Sequence, residues 1–217
     1  MTDLFAPNPT DNLLPYDGTV NDLGIVVDDA AKLYEQLVTE LPWQADTVSL
    51  FGKTHITTRQ IVWMGDNGLS YYYSGHARQV IDWKPSVLQI KKQVEEKLAT
   101  IGIEVAFNTC LLNFYPTGTD SMGYHADDEK ELGQQPIIAA LSLGATRKFV
   151  FKHKRLKHKD NRRQDTPVKV ELYLESGQLI VMRGDTQQHW KHTITKTKTV
   201  NEGRISLTFR RMLTVRD

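Results

Sequence analysis

Cysteine is nearly missing from this chain. Cys110 stands alone among 217 residues, which excludes an intramolecular disulfide and fits a reducing compartment. Long apolar runs are missing too: none approaches the roughly 18 residues of a membrane-spanning helix. Residues 1–15 lack the basic and apolar regions of a signal peptide. There is no internal repeat and no low-complexity segment. Together these gaps lead to the expectation of a soluble intracellular protein, cytoplasmic in a bacterium or nuclear in a eukaryote, monomeric and without a membrane partner. Apolar residues make up 40% of the chain, enough for one large domain with a sizeable core.

The net charge of +1 hides an uneven distribution. Residues 1–50 hold nine acids against Lys32, whereas residues 147–163 hold nine Lys/Arg against Asp160. The second stretch, including Lys154, Arg155, Lys157 and Lys159, reads either as a phosphate-contacting loop or as a solvated hairpin tip.

Residues 1–22, rich in Pro, Asp and Asn, read as irregular. A first helix is predicted from about Asp29 to Leu41, with Leu33, Leu37 and Leu41 on one face. Thr47–Phe51 and Thr54–Thr58 read as strands around a Gly52-Lys53 turn, and Leu69–Ser74 is aromatic and strand-favouring. A second helix opens at Ser86, with Gln89 as the partner in a capping box and Val87, Ile90, Val94 and Leu98 on its apolar face. Beyond residue 104 come short strand patterns at Val105–Tyr115, Ile137–Leu143, Lys148–Lys152, Val168–Leu174, Gln178–Met182 and Arg204–Met212. Gly-marked turns between them indicate an antiparallel sandwich or jelly roll. The expected class is α+β, mainly β, with facing sheets braced by two helices. Its expected divisions are an N-terminal extension and helix (1–45), recognition hairpins (46–84) and a helix plus catalytic core (85–217), all in one structural unit.

Chemistry concentrates in two places. His125-Ala126-Asp127 puts an imidazole and a carboxylate two apart, on one side of an extended chain. A second imidazole from a remote strand would complete a 2-His-1-carboxylate face, which leaves coordination positions open as in non-haem Fe(II) oxygenases. A His-x-Asp pair alone is weak, since about one is expected by chance among seven histidines. His158-Lys159-Asp160 is a decoy set among six Lys/Arg. His55, His76 and His153 have no such setting, and His189 and His192 compete for the second ligand position. Arg204–Arg210 alternates strictly, so Arg204, Ser206, Thr208 and Arg210 oppose Ile205, Leu207 and Phe209. Two guanidinium groups on one strand face suit a small dicarboxylate; with a metal, that pattern indicates 2-oxoglutarate. Asn113 and Tyr115 likewise share one strand face, although an ordinary polar face reads the same way.

With Asn113-Phe114-Tyr115, His125-Ala126-Asp127-Asp128-Glu129, Phe149–His153, His189-Trp190-Lys191-His192 and Arg204–Arg210 in this order, the chain resembles the AlkB family of Fe(II)/2-oxoglutarate-dependent nucleic-acid dealkylases. The resemblance runs from about Thr47 to Met212 and is nearest to the branch that repairs double-stranded DNA. It implies a double-stranded β-helix with an N-terminal substrate-recognition hairpin lid. It assigns iron to His125, Asp127 and His192, the last selected over His189 by its spacing from Arg204. It gives 2-oxoglutarate to Asn113, Tyr115, Arg204, Thr208 and Arg210, with dioxygen as the second co-substrate and no separate protein acid or base.

The implied reaction is oxidative demethylation of bases such as 1-methyladenine and 3-methylcytosine in DNA, releasing formaldehyde and succinate. Such a base must leave the stack, and an apolar wedge can fill the gap. Leu50-Phe51-Gly52 resembles that finger, with Lys53 beside it for phosphate; the plain alternative is a hairpin Phe folded onto the core. Tyr71 and Tyr73 stand where the family stacks on the extruded base, and an aromatic face attracts a cationic ring. Many relatives carry Phe at position 73, so the Tyr73 hydroxyl is a departure that needs a partner. Asp128 is placed to accept from the exocyclic amine. Alkylated duplex DNA is the expected partner, single strands next and RNA after them. The other readings are an RNA demethylase, a hydroxylase of a protein, lipid or other non-nucleic-acid substrate, a zinc hydrolase built on the same triad, and a non-catalytic homologue.

Overall fold

The computed structural model describes residues 8–50, 53–67, 69, 71–73, 76–78, 80–158 and 166–213. Its elements run β1 (Thr19–Ile25), α1 (Ala30–Glu40), β2 (Gln44–Leu50), β3 (Lys53–Gly65), β4 (Tyr71–Tyr73), β5 (His76–Arg78), α2 (Pro85–Ala99), β6 (Thr109–Tyr115) and β7 (Met122–His125). After a 3-10 turn at Lys130–Leu132 come β8 (Ile138–Gly144), β9 (Arg147–His158), β10 (Thr166–Leu174), β11 (Gln178–Arg183), α3 (Thr186–His189), β12 (Trp190–Ile194) and β13 (Arg204–Arg210). A seven-stranded sheet, β1-β11-β8-β13-β6-β3-β2, faces a four-stranded sheet, β10-β9-β12-β7; β4 and β5 pair separately. The named strand pairs are antiparallel. This is the expected mainly-β jelly roll.

The large sheet is covered on both faces, which explains why every residue of β13 is buried. On its outer face Ile205, Leu207 and Phe209 join one core with Leu37 of α1 and Val87, Ile90, Val94 and Leu98 of α2. A second core, including Trp63, Tyr115, Phe149, Phe151, Met182 and Trp190, fills the space between the sheets. The polar half of β13 points into that second space.

Several local expectations need correction. Residues 19–25 form a strand, because β1 pairs with β11 along the sheet edge. The polar segment before it is organised by Asn12, whose Oδ1 accepts from the Leu14 and Val20 N–H groups while its Nδ2 donates to the Gly18 carbonyl. The Asn side chain thus folds this loop, and Leu14 anchors it in the core between the sheets. The first helix begins as expected: Asp29 caps it by accepting from the Lys32 N–H at 3.1 Å.

The capping box at Ser86 does not form. The helix starts one residue earlier with Pro85, whose fixed φ suits the first turn, and Lys84 occupies the cap position without a side-chain hydrogen bond. In the first hairpin Leu50 pairs with Lys53, so Lys53 belongs to β3 rather than to the turn. β3 then runs on to Gly65 and pairs with β6, making the hairpin an extension of the main sheet. At the β8–β9 turn Gly144 has φ +83°, and a Cβ there would strike the Gly203 carbonyl and Tyr34.

Leu207 is fully buried mid-strand and Leu88 is 46% exposed on α2. Leu207→Ala is expected to cost about 2–5 kcal/mol and Leu88→Ala within about 0.5 kcal/mol, as read from urea unfolding midpoints. Similar losses for both would contradict the placement of the outer core.

Candidate metal centre

The ladder between β7 and β12 sets His125 directly opposite His192. Their rings lie 4.2 Å apart, edge to face. Just beyond the end of β7, Asp127 turns back between them, with one carboxylate oxygen 3.9 Å from His125 Nε2 and the other 3.9 Å from His192 Nε2. One ligand atom from each residue falls within 4.8 Å of the others, a spacing that a single ion with bonds of about 2 Å can bridge.

The surroundings prepare these groups as ligands. His125 Nδ1–H donates to the Gly123 carbonyl at 2.9 Å, which leaves the Nε2 lone pair facing the site. Gln187 Oε1 accepts the Asp127 N–H at 2.9 Å and Arg210 Nη2 donates to Asp127 Oδ1 at 2.8 Å. Burial alone would raise the Asp127 pKa, but Arg210 and the two imidazoles outweigh it and hold the carboxyl below its usual range. Burial first, and His125 second, push the His192 pKa down against the pull of Asp127. Ionised carboxylate and neutral imidazole are the forms that bind a metal.

Between the sheets, a cavity opens beside the triad, lined by Asn113, Tyr115, Ser206, Thr208 and Arg210 among others. One step along the same face of β13, Arg204 is 1% exposed. Its Nη2 donates to Ser142 Oγ at 2.7 Å, and its Cζ lies 5.6 Å from the Tyr115 ring centroid. Its Nε and Nη1 have no hydrogen-bond partner among the described residues. Burial lowers its pKa to about 10, with Tyr115 opposing and Arg147 adding to the shift, so it stays charged at neutral pH. A buried guanidinium with unanswered donors calls for an anion, and a carboxylate of 2-oxoglutarate meets that need.

Other expected residues fall differently. Asn113 Oδ1 accepts from Arg59, whose other nitrogen is paired with Asp46; the sequence pattern missed both of these buried residues. Asp128 is exposed and lies 3.3 Å from Lys154 Nζ, which also donates to the Gln187 carbonyl at 2.9 Å. Phe51 and Gly52 lie outside the described residues, as do the side chains of Leu50, Lys53, Tyr71 and Tyr73.

His189 does not reach the triad. It stacks on His153 at 6.0 Å in a second group with Asp17. There His153 Nδ1 accepts from the Arg155 N–H, so its Nε2 carries the hydrogen donated to Asp17 at 3.1 Å. That makes the second group a clamp on the N-terminal segment. Within the basic stretch, Arg147 is buried and donates to four backbone carbonyls, a structural role. Lys148 pairs with Glu171 at 2.5 Å.

The profile of the 2OG-Fe(II) oxygenase superfamily matches residues 25–210. The chain is 36% identical over 188 residues to the DNA oxidative demethylase ALKBH2 of Mus musculus, covering 85% of this chain and 76% of that protein. It belongs to the AlkB family of Fe(II)/2-oxoglutarate-dependent dioxygenases. The alpha-ketoglutarate-dependent dioxygenase alkB homolog 3 of Bos taurus is 37% identical over 183 residues, 84% of this chain and 61% of that relative's length. Among solved structures, OsALKBH1 superposes with a TM-score of 0.58 at 16% identity, covering 91% of this chain and 98% of that one. A 2OG-Fe(II) oxygenase-family oxidoreductase from Burkholderia pseudomallei gives 0.54 at 17% identity, covering 95% and 92%. These two likenesses concern the fold. As an AlkB-family member the protein uses Fe(II), 2-oxoglutarate and dioxygen, and the donor set described above fits the first two.

Because Gln187 fixes the main chain of Asp127, Gln187→Leu is expected to weaken divalent-metal affinity about 10- to 100-fold, measured by anaerobic Co(II) titration. Affinity equal to the unaltered protein would show that the Asp127 loop is held by other contacts.

Proposed function

We propose that this protein is an oxidative demethylase of N-alkylated bases in DNA, acting on lesions such as 1-methyladenine and 3-methylcytosine and releasing formaldehyde and succinate. The observation that carries the reading is the metal triad together with Arg204, a buried guanidinium one step along β13 from the cavity wall with donors unanswered among the described residues. Nucleic acid as substrate is supported by the relatives named DNA oxidative demethylase in Mus musculus and Homo sapiens. Duplex DNA is favoured by the sequence Leu50-Phe51-Gly52-Lys53, whose apolar pair would serve as a wedge with Lys53 as the cation beside it.

When bound, Fe(II) and 2-oxoglutarate supply the activation of dioxygen for a two-electron oxidation of the N-methyl carbon, with loss of carbon dioxide. The chain's own residues orient and enclose. His125, Asp127 and His192 would hold the metal on one face and leave the opposite face open. Arg204, with Ser142 and Tyr115 behind it, would fix the distal carboxylate, while Asn113, Thr208 and Arg210 line the path towards the metal. Arg210 has a second role, since its bond to Asp127 Oδ1 keeps that carboxylate from rotating. Phe149, stacked on His192 at 5.3 Å, keeps the inner side dry and so strengthens these electrostatic contacts. At the open mouth Asp128 would accept from the base's exocyclic amine once Lys154 moves to phosphate. Tyr71 and Tyr73 would stack on the extruded ring.

Formaldehyde release from a 1-methyladenine duplex is expected only with Fe(II) and 2-oxoglutarate together; turnover with zinc alone would overturn the assignment. Phe51→Ala is expected to cut activity on duplex roughly 10-fold more than on the matching single strand. Equal losses in that kinetic comparison would remove the wedge role.

A further inference from the structure

Two cavities meet at the metal ligand Asp127. One is the inner cavity beside the triad. The other lies along β2 and β3 and shares Leu111, Met122, Asp127 and Arg210 with the first. Its remaining walls are Ile61 and Trp63 on the apolar side and Asp46, Arg59 and Glu129 on the charged side. Because its lining includes the metal ligand Asp127, it opens onto the metal face. A base extruded into it would carry its methyl group towards the triad.

The chemistry of this second cavity turns on a buried ion pair. Arg59 is 5% exposed and Asp46 2%. One guanidinium nitrogen of Arg59 is bonded to Asp46 and another to Asn113 Oδ1. A cationic side chain in the wall of a pocket that admits cationic bases is an electrostatic conflict. Its repulsion is strongest where water has been expelled. The adjacent carboxylate resolves the conflict. The Asp46 carboxylate cancels the Arg59 charge in this wall. Without the Asp46 charge, the Arg59 cation would face the incoming ring.

We propose that Asp46 is a specificity-determining residue: by neutralising Arg59 in the wall of the base cavity, it sets the preference for cationic over neutral alkylated bases. The proposal rests on the demethylase reading and adds a residue and a substrate charge to it. The same pair holds the Asn113 amide by its oxygen, so its Nδ2 is the group turned to other partners. Charge selection and amide orientation are thus separable effects of one contact, and a substitution that keeps the hydrogen bond but removes the charge isolates the first.

The test uses two methylated pyrimidines of nearly equal shape, 3-methylcytosine (cationic) and 3-methylthymine (neutral), each in the same duplex. Ratios of kcat/KM are measured at neutral pH with the Fe(II)/2-oxoglutarate enzyme, and ratios of Kd are measured without oxygen. Asp46→Asn is expected to lower the cationic-to-neutral ratio about 10-fold in both measurements, and Asp46→Glu is expected to preserve it even if overall activity falls. Should the Asn variant fail to fold by circular dichroism, Asp46→Ser, which admits water to the guanidinium, carries the same expectation. A folded Asn or Ser variant with the unaltered protein's ratio would overturn the role of Asp46. An unaltered protein inactive on both duplexes would instead overturn the demethylase reading, so the two failures are distinct.

Discussion

Burying a row of polar side chains between two sheets is the constraint on which the site depends. Strand β13 carries Arg204, Ser206, Thr208 and Arg210 on its inner face, and all four are buried. Two buried guanidinium groups must meet anions. Arg210 finds Asp127 within the chain, and that contact fixes the carboxylate between two imidazoles. Arg204 finds Ser142 and the Tyr115 ring but keeps two nitrogens unanswered among the described residues. The same strand thus supports the metal face at one end and leaves an anion requirement at the other. The helices matter because Val94 and Leu98 of α2 seal the outer face of the sheet against Leu207 and Phe209, which lets β13 be buried on both sides.

Much of this was legible in the amino-acid order because strict alternation survives in β13. Seven residues with apolar side chains at every second position can bury only one way, and the polar set then shares a face. His125 and Asp127 were legible for the same reason of spacing. His192 was separated from His189 by resemblance rather than by physics. The physical separation appears only in the fold, where strand pairing puts His192 opposite His125 and a tight turn sends His189 to His153.

What the sequence concealed depends on contacts between distant segments. Asp46 and Arg59 occupy unremarkable places in two polar strands, and only the register of β2 on β3 and β3 on β6 brings them to Asn113. Ser142 lies in the apolar run of β8, and its role follows from sitting opposite Ser206 in the ladder beside Arg204. Arg147 looked like part of a basic surface, yet backbone carbonyls from two loops capture it. The described part of the 1–22 segment, residues 8–22, reads as irregular in sequence because its order comes from Asn12 and from pairing with a strand more than 150 residues away.

The most direct measurement concerns the unanswered donors of Arg204. 2-Oxopentanoate matches 2-oxoglutarate but lacks the distal carboxylate. Calorimetric titration of both into the Co(II)-loaded protein without oxygen compares them on one site. The expected result is at least about 100-fold weaker binding of the monoacid, because a buried polar site rejects a ligand that cannot answer its donors. Equal affinity for the two would contradict the assignment of Arg204 to the co-substrate, and with it the account of why β13 buries two cations.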